Sequence, residues 1–120
     1  MIKTYIKGAK AERDLAKKLK DLGFGVIRAA GSGGNISIPD LVAIKRGRIL
    51  AFECKAWKTK PKLKKQEYAE FIEWCNRTGA LGFLAWKNKD WLFLNIKEIK
   101  NQKIDIDGLT FNDLMFLLNV

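Results

Sequence analysis

The sequence predicts an α/β fold: a single domain over residues 1–120 in which a central mixed β-sheet is flanked by helices. The apolar residues switch between helical and strand spacing along the chain and give the order α-β-β-β-α-β-β-α, which is typical of such a sheet. An apolar content of 48%, with four tryptophans and seven phenylalanines, argues against a disordered chain. At 120 residues, the chain can bury one core without disulfide bonds.

Residues 7–22 are predicted to form the first helix, because apolar residues such as Leu15 and Leu19 recur at helical spacing with lysines on the opposite side. Gly23 follows at the position of a C-terminal glycine cap. Glu12 continues the apolar stripe one turn before Leu15, and a carboxylate on that face needs a partner or a metal ion. The alternative is a helix start that is exposed to solvent.

A short strand is predicted at 24–30, and the following segment from Gly31 to Asn35 is too rich in glycine for a helix or an ordered strand. Backbone N–H groups in such a loop can approach a phosphate. The Gly-Lys-Ser/Thr triplet of a Walker A loop is missing, so a plain connection is the favoured interpretation.

A β-hairpin is predicted next, with strands at 39–44 and 49–55 joined by a turn at 45–48. If the loop has two or four residues, Asp40 falls directly opposite Glu53, whereas a loop of three or five residues shifts the register. Opposed Cβ atoms lie roughly 4.5–5.5 Å apart. Two carboxylates at that separation repel each other unless a cation lies between them.

The hairpin residues therefore indicate a metal site. Lys55 follows Glu53 by two positions and so lies on the same face of its strand, while the other face is apolar. The carboxylates of Asp40 and Glu53 are the hard oxygen ligands that suit Mg²⁺ or Mn²⁺. Lys55 could then position a water molecule or stabilise charge on a phosphate, and Glu12 could complete the site through water. The alternative for Glu53 and Lys55 is a surface ion pair, which contributes little.

The composition narrows the chemistry further. The chain has no histidine, which excludes Ser-His-Asp and Cys-His nucleophile schemes and histidine-based zinc sites. The two cysteines, Cys54 and Cys75, are expected to be reduced residues of the core. No apolar run is long enough for a membrane helix and no signal-peptide pattern is present, so a cytoplasmic protein without a membrane partner is expected.

A formal net charge of +10 predicts a polyanionic partner, nucleic acid above all. Basic residues cluster in the first twenty positions and again at 55–65, which argues against a charge that serves solubility alone. The segment 57–65 is a basic connection broken by Pro61. A solvated loop and a phosphate-contacting role are equally compatible with it.

The second half of the chain continues with a helix predicted at 63–77 and strands at 80–86 and 91–96. Trp74 lies off the core stripe of this helix, where it would face a partner subunit or cap the edge of the core. A last helix is predicted from Phe111, and its apolar residues lie on most sides. It must therefore be buried in this chain or against another.

At these residues the chain resembles the archaeal Holliday junction resolvase family, within the PD-(D/E)xK nuclease superfamily. The motifs that carry the resemblance are Lys7-Gly8-x-x-x-Glu12-Arg13, Phe24-x-Val26-x-Arg28, Gly31-Ser32-Gly33, Pro39-Asp40 and Glu53-x-Lys55. Their order and spacing make them more specific than the PD…ExK signature alone. The resemblance implies a restriction-endonuclease-like fold and a Mg²⁺-dependent, structure-selective DNA endonuclease, with Mn²⁺ as a substitute. It also implies a homodimer that resolves four-way junction DNA by paired nicks.

The resemblance implies site residues as well. Glu12, Asp40 and Glu53 would be catalytic and metal-binding. Lys55 and Ser32 would be further catalytic residues. The residues expected to bind DNA are Lys7, Arg13, Arg28, Lys58 and Lys60.

Other functions remain compatible with the residues. One is a repair nickase or restriction-like nuclease that acts on other DNA structures. Another is a non-catalytic basic module that binds nucleic acid, although a pure binding module has no need to keep the acids together. A third is a structural RNA-binding protein of the ribosome.

Overall fold

A six-stranded β-sheet forms the centre of the computed structural model, which describes residues 2–29, 38–99 and 108–120, with side chains from residue 7 onward. The helices are α1 (Ile2–Asp21), α2 (Lys65–Thr78) and α3 (Phe111–Leu117). The strands are β1 (Gly25–Arg28), β2 (Leu41–Lys45), β3 (Arg48–Lys55), β4 (Leu81–Lys87), β5 (Trp91–Asn95) and β6 (Leu109–Thr110), and a 3₁₀ turn at Ile96–Glu98 follows β5. The predicted mixed sheet flanked by helices is confirmed.

The strands lie in the order β1-β2-β3-β4-β5-β6. Every neighbouring pair is antiparallel except β3 and β4, which are parallel. A parallel pair needs a long crossover, and α2 supplies it. The hairpin β2–β3 is therefore followed at once by a helix that crosses one face of the sheet.

Two apolar clusters cover the two faces of the sheet. The first packs α1 and α3 against inward residues of β2, β3, β4 and β5, among them Leu50 and Phe52. The second packs α2 against the opposite face, where Ala51 and Leu84 are fully buried. Neighbours along β3 alternate between the clusters because side chains of a strand alternate between faces. The result is a three-layer arrangement with β3 buried on both sides.

The hairpin turn has a two-residue loop, one of the two lengths for which the sequence predicts Asp40 opposite Glu53. Lys45 pairs with Arg48, and the two residues between them, Arg46 and Gly47, have φ angles of 50° and 81°. Two successive positive φ values characterise the type I′ turn, whose twist matches that of the strands it joins. The hairpin register is therefore the one that the sequence predicts.

Some element boundaries differ from the sequence prediction. Helix α1 begins at Ile2 instead of residue 7, and β1 ends at Arg28, although the N–H of Ala29 still bonds to the carbonyl of Asp40 at 3.0 Å. The two-residue strand β6 was not predicted, because it is too short to show alternation and leads directly into α3. The predicted loop 31–35 lies outside the described residues.

Helix α3 is buried on one side only. Thr110 caps it by accepting a hydrogen bond from the N–H of Asp113 at 3.1 Å, and Leu114 and Met115 are buried. Phe116 and Leu117 remain 84% and 66% exposed. The part of the chain that the structure describes thus leaves apolar surface on this helix. Among these residues, no helix has both the length and the apolar character required to span a membrane.

Candidate active site

The hairpin brings Asp40 and Glu53 together at its open end, away from the turn. The ladder of β2 and β3 ends at the pair Leu41 and Phe52, so one further step of the same register sets Asp40 opposite Glu53. The Oδ2 atom of Asp40 accepts a hydrogen bond from the N–H of Cys54 at 2.8 Å. This bond fixes the Asp40 carboxylate across the end of β3, beside Glu53.

Both carboxyl groups are partly shielded from water. Burial, followed by the charge of Asp40, raises the pKa of Glu53 to about 8, although the nearby ammonium of Lys55 opposes the shift. Burial also raises the pKa of Asp40, against the hydrogen bond from Cys54 and the charge of Lys55. Two acids in such surroundings favour a bound cation, because it would restore their charged forms.

The donor set fits a hard divalent cation. Asp40 and Glu53 offer carboxylate oxygens, and Mg²⁺ is usually bound by one or two carboxylates while it keeps several waters. Within residues 2–29, 38–99 and 108–120, no group of three or more His, Cys, Asp or Glu side chains is arranged to hold a metal ion. The structure therefore brings together two of the three predicted metal ligands, and Glu12 does not complete a three-ligand group with them among the described residues.

An open cleft of about 260 Å³ gives access to this pair. Lys55 lies in the same cleft, as its position on β3 predicts, and its Nζ atom is 3.4 Å from Oε2 of Glu67. Trp74 forms part of the wall and is half-buried against the second apolar cluster, which agrees with the edge of the core, one of the two places that the sequence left open for it. The cleft is lined by Ile38, Pro39, Asp40, Glu53, Lys55, Glu67, Glu70, Phe71 and Trp74.

Glu12 approaches from α1, which covers the other face of the sheet. Its Oε1 atom accepts a hydrogen bond from Nε of Arg28 at 3.2 Å, and both side chains are largely buried. Burial, followed by the charge of Asp40, raises the pKa of Glu12, and the charge of Arg28 opposes the shift. The carboxylate of Glu12 thus has Arg28 as the partner that an inward-facing acid needs, and it is close enough to Asp40 to be affected by its charge.

The remaining predicted residues fall into two groups. Lys7, Arg13, Lys58 and Lys60 are exposed and can reach a polyanion, whereas Arg28 is held by Glu12. Ser32 lies outside the described residues. Cys54 packs against the first apolar cluster and Cys75 is buried in the second, both as free thiols, as their sequence context predicts.

Sequence reasoning missed two neighbours of Lys55. Glu67 reaches its ammonium from the first turn of α2, and the ring of Trp57 lies with its centroid 5.2 Å from Nζ. Little in the sequence indicated that Glu67 lies in the first turn of α2. The helix starts after Lys64, and lysine is not a typical N-cap residue. For Trp57, the signal was an aromatic residue two positions after Lys55, just beyond the end of β3, where continued alternation would place it on the same side as Lys55.

Comparison with known proteins gives consistent results over nearly the whole chain. A family model described as archaeal Holliday junction resolvase (Hjc) matches residues 3–119. The crossover junction endodeoxyribonuclease Hjc of Methanocaldococcus jannaschii is 41% identical over 93 residues, which are 76% of this chain and 67% of that protein. Its namesake from Sulfolobus acidocaldarius is 37% identical over 123 aligned positions, covering 91% of this chain and 86% of the relative.

A solved structure shows the same fold. The structure of Archaeoglobus fulgidus Hjc, described as a Holliday junction resolvase from an archaeal hyperthermophile, superposes with a TM-score of 0.75 at 30% identity. The match covers 90% of this chain and 98% of that chain. The α/β architecture is thus shared over almost the full length of both.

Proposed function

Because the chain belongs to the archaeal Holliday junction resolvase family, we propose that it is a Mg²⁺-dependent endonuclease that resolves four-way DNA junctions by paired nicks. The observation that carries the proposal is the half-buried pair Asp40 and Glu53, set side by side with Lys55 in one open cleft. A protein that only binds nucleic acid gains nothing from two acidic groups held together and partly shielded from water. An enzyme that holds a divalent cation does.

Three residues of the cleft have a proposed role in this chemistry. When bound, Mg²⁺ polarises a phosphoryl oxygen and lowers the pKa of a water molecule, and Mn²⁺ can replace it. Asp40 and Glu53 are the residues that would hold it. The ammonium of Lys55 lies at the wall of the cleft, where it would stabilise the charge that builds on the scissile phosphate.

Glu12 and Ser32 also belong to the proposed site, although neither lies on the β2–β3 hairpin. Glu12 acts from α1 through its bond to Arg28, and it lies close enough to Asp40 for the charge of Asp40 to raise its pKa. Ser32 is proposed as a further catalytic residue on family resemblance, in the segment between β1 and β2. The motifs on either side of it, ending at Arg28 and starting at Pro39, support that placement.

The basic surface suits a substrate that is defined by its shape. Lys7, Arg13, Lys58 and Lys60 are exposed, and such side chains contact phosphates without reading base sequence. A four-way junction differs from duplex DNA in the arrangement of its phosphates. Contacts of this kind therefore suffice for recognition of the junction, with no base readout.

We further propose that the enzyme is a homodimer, because paired cuts on a substrate of approximate two-fold symmetry need two active sites. The exposed Phe116 and Leu117 on α3 support a second copy there, and Leu117 also borders an apolar groove of about 530 Å³. Sedimentation equilibrium should show a dimer that Phe116→Asp dissociates. Asn112→Asp, which adds the same charge at an exposed polar position of α3, should leave it intact. A monomeric wild type contradicts this part of the proposal.

The function itself is tested by a cleavage panel. Wild type and Asp40→Asn are incubated with an immobile four-way junction and with duplex, flap and Y-shaped DNA of equal sequence, in Mg²⁺, Mn²⁺ or EDTA. Wild type should cut the junction only with metal, and Asp40→Asn should bind it without cutting. Equal cleavage of duplex would indicate a nuclease for other DNA structures. No cleavage in either metal would indicate a binding module.

A further inference from the structure

The ammonium group of Lys55 lies between two side chains that come from different parts of the fold. On one side, Oε2 of Glu67 is 3.4 Å from Nζ, and on the other the centroid of the Trp57 ring is 5.2 Å away. The first contact is an ion pair and the second is within the range of a cation–π interaction. The side chain of Lys55 is only 18% exposed, so water screens these contacts less than it would at the surface.

Both holding residues are themselves anchored, Glu67 through its side chain and Trp57 through its backbone. The second carboxylate oxygen of Glu67, Oε1, accepts a hydrogen bond from the backbone N–H of Lys64 at the start of α2, at 3.1 Å. The carbonyl of Trp57 accepts a hydrogen bond from the indole N–H of Trp86 on β4, at 2.8 Å. The two oxygens of Glu67 are thus both engaged, one by the helix start and one by Lys55.

The chain between the two holders is anchored as well. Pro61 is fully buried and Leu63 is 4% exposed, so the basic connection after β3 is tied to the core at its middle. This anchoring sets the distance from the end of β3 to the first turn of α2. It explains how Glu67, twelve residues along the chain from Lys55, can meet it.

A lysine needs such support if its charge is to act at one place. Its four-carbon stem has about 2 kcal/mol of rotamer entropy, and an ammonium is a point charge without the planar geometry of a guanidinium. Misplacement of a catalytic group by about 1 Å can reduce a rate roughly 100-fold. Contacts on two sides restrict the ammonium of Lys55 to the wall of the cleft that faces Asp40 and Glu53.

We propose that Glu67 and Trp57 are positioning residues that fix the ammonium of Lys55 within the active-site cleft. Glu67 acts as an ionic clamp and Trp57 as an aromatic wall. Neither is proposed to touch the reacting phosphate. The proposal rests on the role given to Lys55 above, but the order of its ammonium can be measured without DNA or metal.

The first experiment measures that order in the metal-free protein. In ¹⁵N-labelled protein, the lysine NH₃⁺ signal that disappears in Lys55→Arg is assigned to Lys55, and its order parameter is measured by relaxation. Glu67→Gln keeps an oxygen for the N–H of Lys64 but removes the charge, so the order parameter should fall clearly. Glu73→Gln is the matched control, because Glu73 pairs with Arg77 on the exposed side of the same helix. It should leave the signal unchanged.

The second experiment separates chemistry from binding. With protein and Mg²⁺ saturating, Glu67→Gln should lower the single-turnover cleavage rate about tenfold, which corresponds to ~1.4 kcal/mol, while junction affinity stays within about twofold. Trp57→Leu should lower the rate severalfold, and Trp57→Phe should restore most of it by keeping an aromatic face. Because Trp57 is 38% exposed, these variants are expected to fold even if a change at Glu67 disturbs α2.

Two outcomes would overturn the proposal. One is an unchanged Lys55 order parameter in both Glu67→Gln and Trp57→Leu. The other is a loss that appears in junction affinity instead of rate, which would make Trp57 a surface for stacking on a base. A wild type that fails to cleave the junction would contradict the proposed function alone, since the order of Lys55 is read without substrate.

Discussion

The two ends of the β2–β3 hairpin differ in how well their charged side chains are paired. At the turn end, Nζ of Lys45 donates to the carbonyl of Leu22 at 2.6 Å, and the guanidinium of Arg48 donates to the carbonyl of Leu118. These carbonyls follow the C-termini of α1 and α3, where cations are favourable. At the open end, Asp40 and Glu53 lie close together, and burial raises the pKa of each.

The contrast supports a structural role for the turn end and the proposed functional role for the open end. Each cation at the turn end donates to a carbonyl that its helix leaves without a partner. The same side chains therefore satisfy their own charge and stabilise the packing of the helix against the hairpin. The open end concentrates like charges where water is scarce, which destabilises the metal-free fold. Local conflicts of this kind are expected at functional sites. Substitutions at the two ends should therefore have opposite signatures in activity and stability.

The largest expected effect is the loss of cleavage on Glu53→Gln. Removing one of the two carboxylates that we propose to bind the metal should lower the single-turnover rate by about 10³-fold, because it would weaken both metal binding and charge stabilisation. Lys45→Met at the turn end should leave the rate within about twofold. The measurement is junction cleavage at fixed Mg²⁺. Comparable losses in the two variants would remove the functional distinction between the ends.

Much of this hairpin could be predicted from the sequence, because the geometry is local. Arg46 and Gly47 lie between two apolar runs, a two-residue loop sets the register, and alternation then determines the face on which Glu53 and Lys55 lie. The core stripe of α2 follows from helical spacing in the same way. No information from distant parts of the chain is needed for these predictions.

The contacts of Glu12 and Glu67 could not be derived in the same way. Whether Glu12 meets Arg28 depends on how α1 crosses the sheet, and periodicity shows only which side of the helix faces inward. Glu67 meets Lys55 because the intervening connection is anchored through buried Pro61. The exposed side of α3 was also unexpected within one chain, since an apolar pattern indicates burial without saying what covers it.

The next effect is on stability and depends on pH. The pKa of Glu53 is raised from its ordinary value of 4.5 to about 8 in the metal-free fold, so the native state keeps a proton that the unfolded chain releases. Between these two values the unfolded state binds fewer protons, and the free energy of unfolding must fall as pH rises. Urea unfolding in EDTA should show wild type less stable at pH 8 than at pH 5. Glu53→Gln should show a smaller decrease, and an equal decrease would contradict this origin.

Bound Mg²⁺ should offset the loss of stability that the metal-free protein shows at high pH. A ligand that binds only the native state adds about 2.7 kcal/mol at 100 times its Kd, so Mg²⁺ should stabilise wild type at pH 8. The gain should be smaller at pH 5, where the carboxyl of Glu53 is protonated and the metal must displace a proton. Thermal unfolding with and without Mg²⁺ measures both values. Equal stabilisation of Asp40→Asn would place the binding site elsewhere.

The smallest effect is expected at the turn end, where it falls on stability alone. Lys45→Met keeps most of the hydrocarbon stem but removes the hydrogen bond to the carbonyl of Leu22 and the contact of the ammonium with the ring of Phe24. A bond from a charged donor to a helix-end carbonyl contributes about 1 kcal/mol, so the urea midpoint should fall slightly. The decrease should be the same at pH 5 and pH 8 and with or without Mg²⁺. If it instead varies with metal, the two ends of the hairpin are coupled, and the turn also helps to hold Asp40 and Glu53 in register.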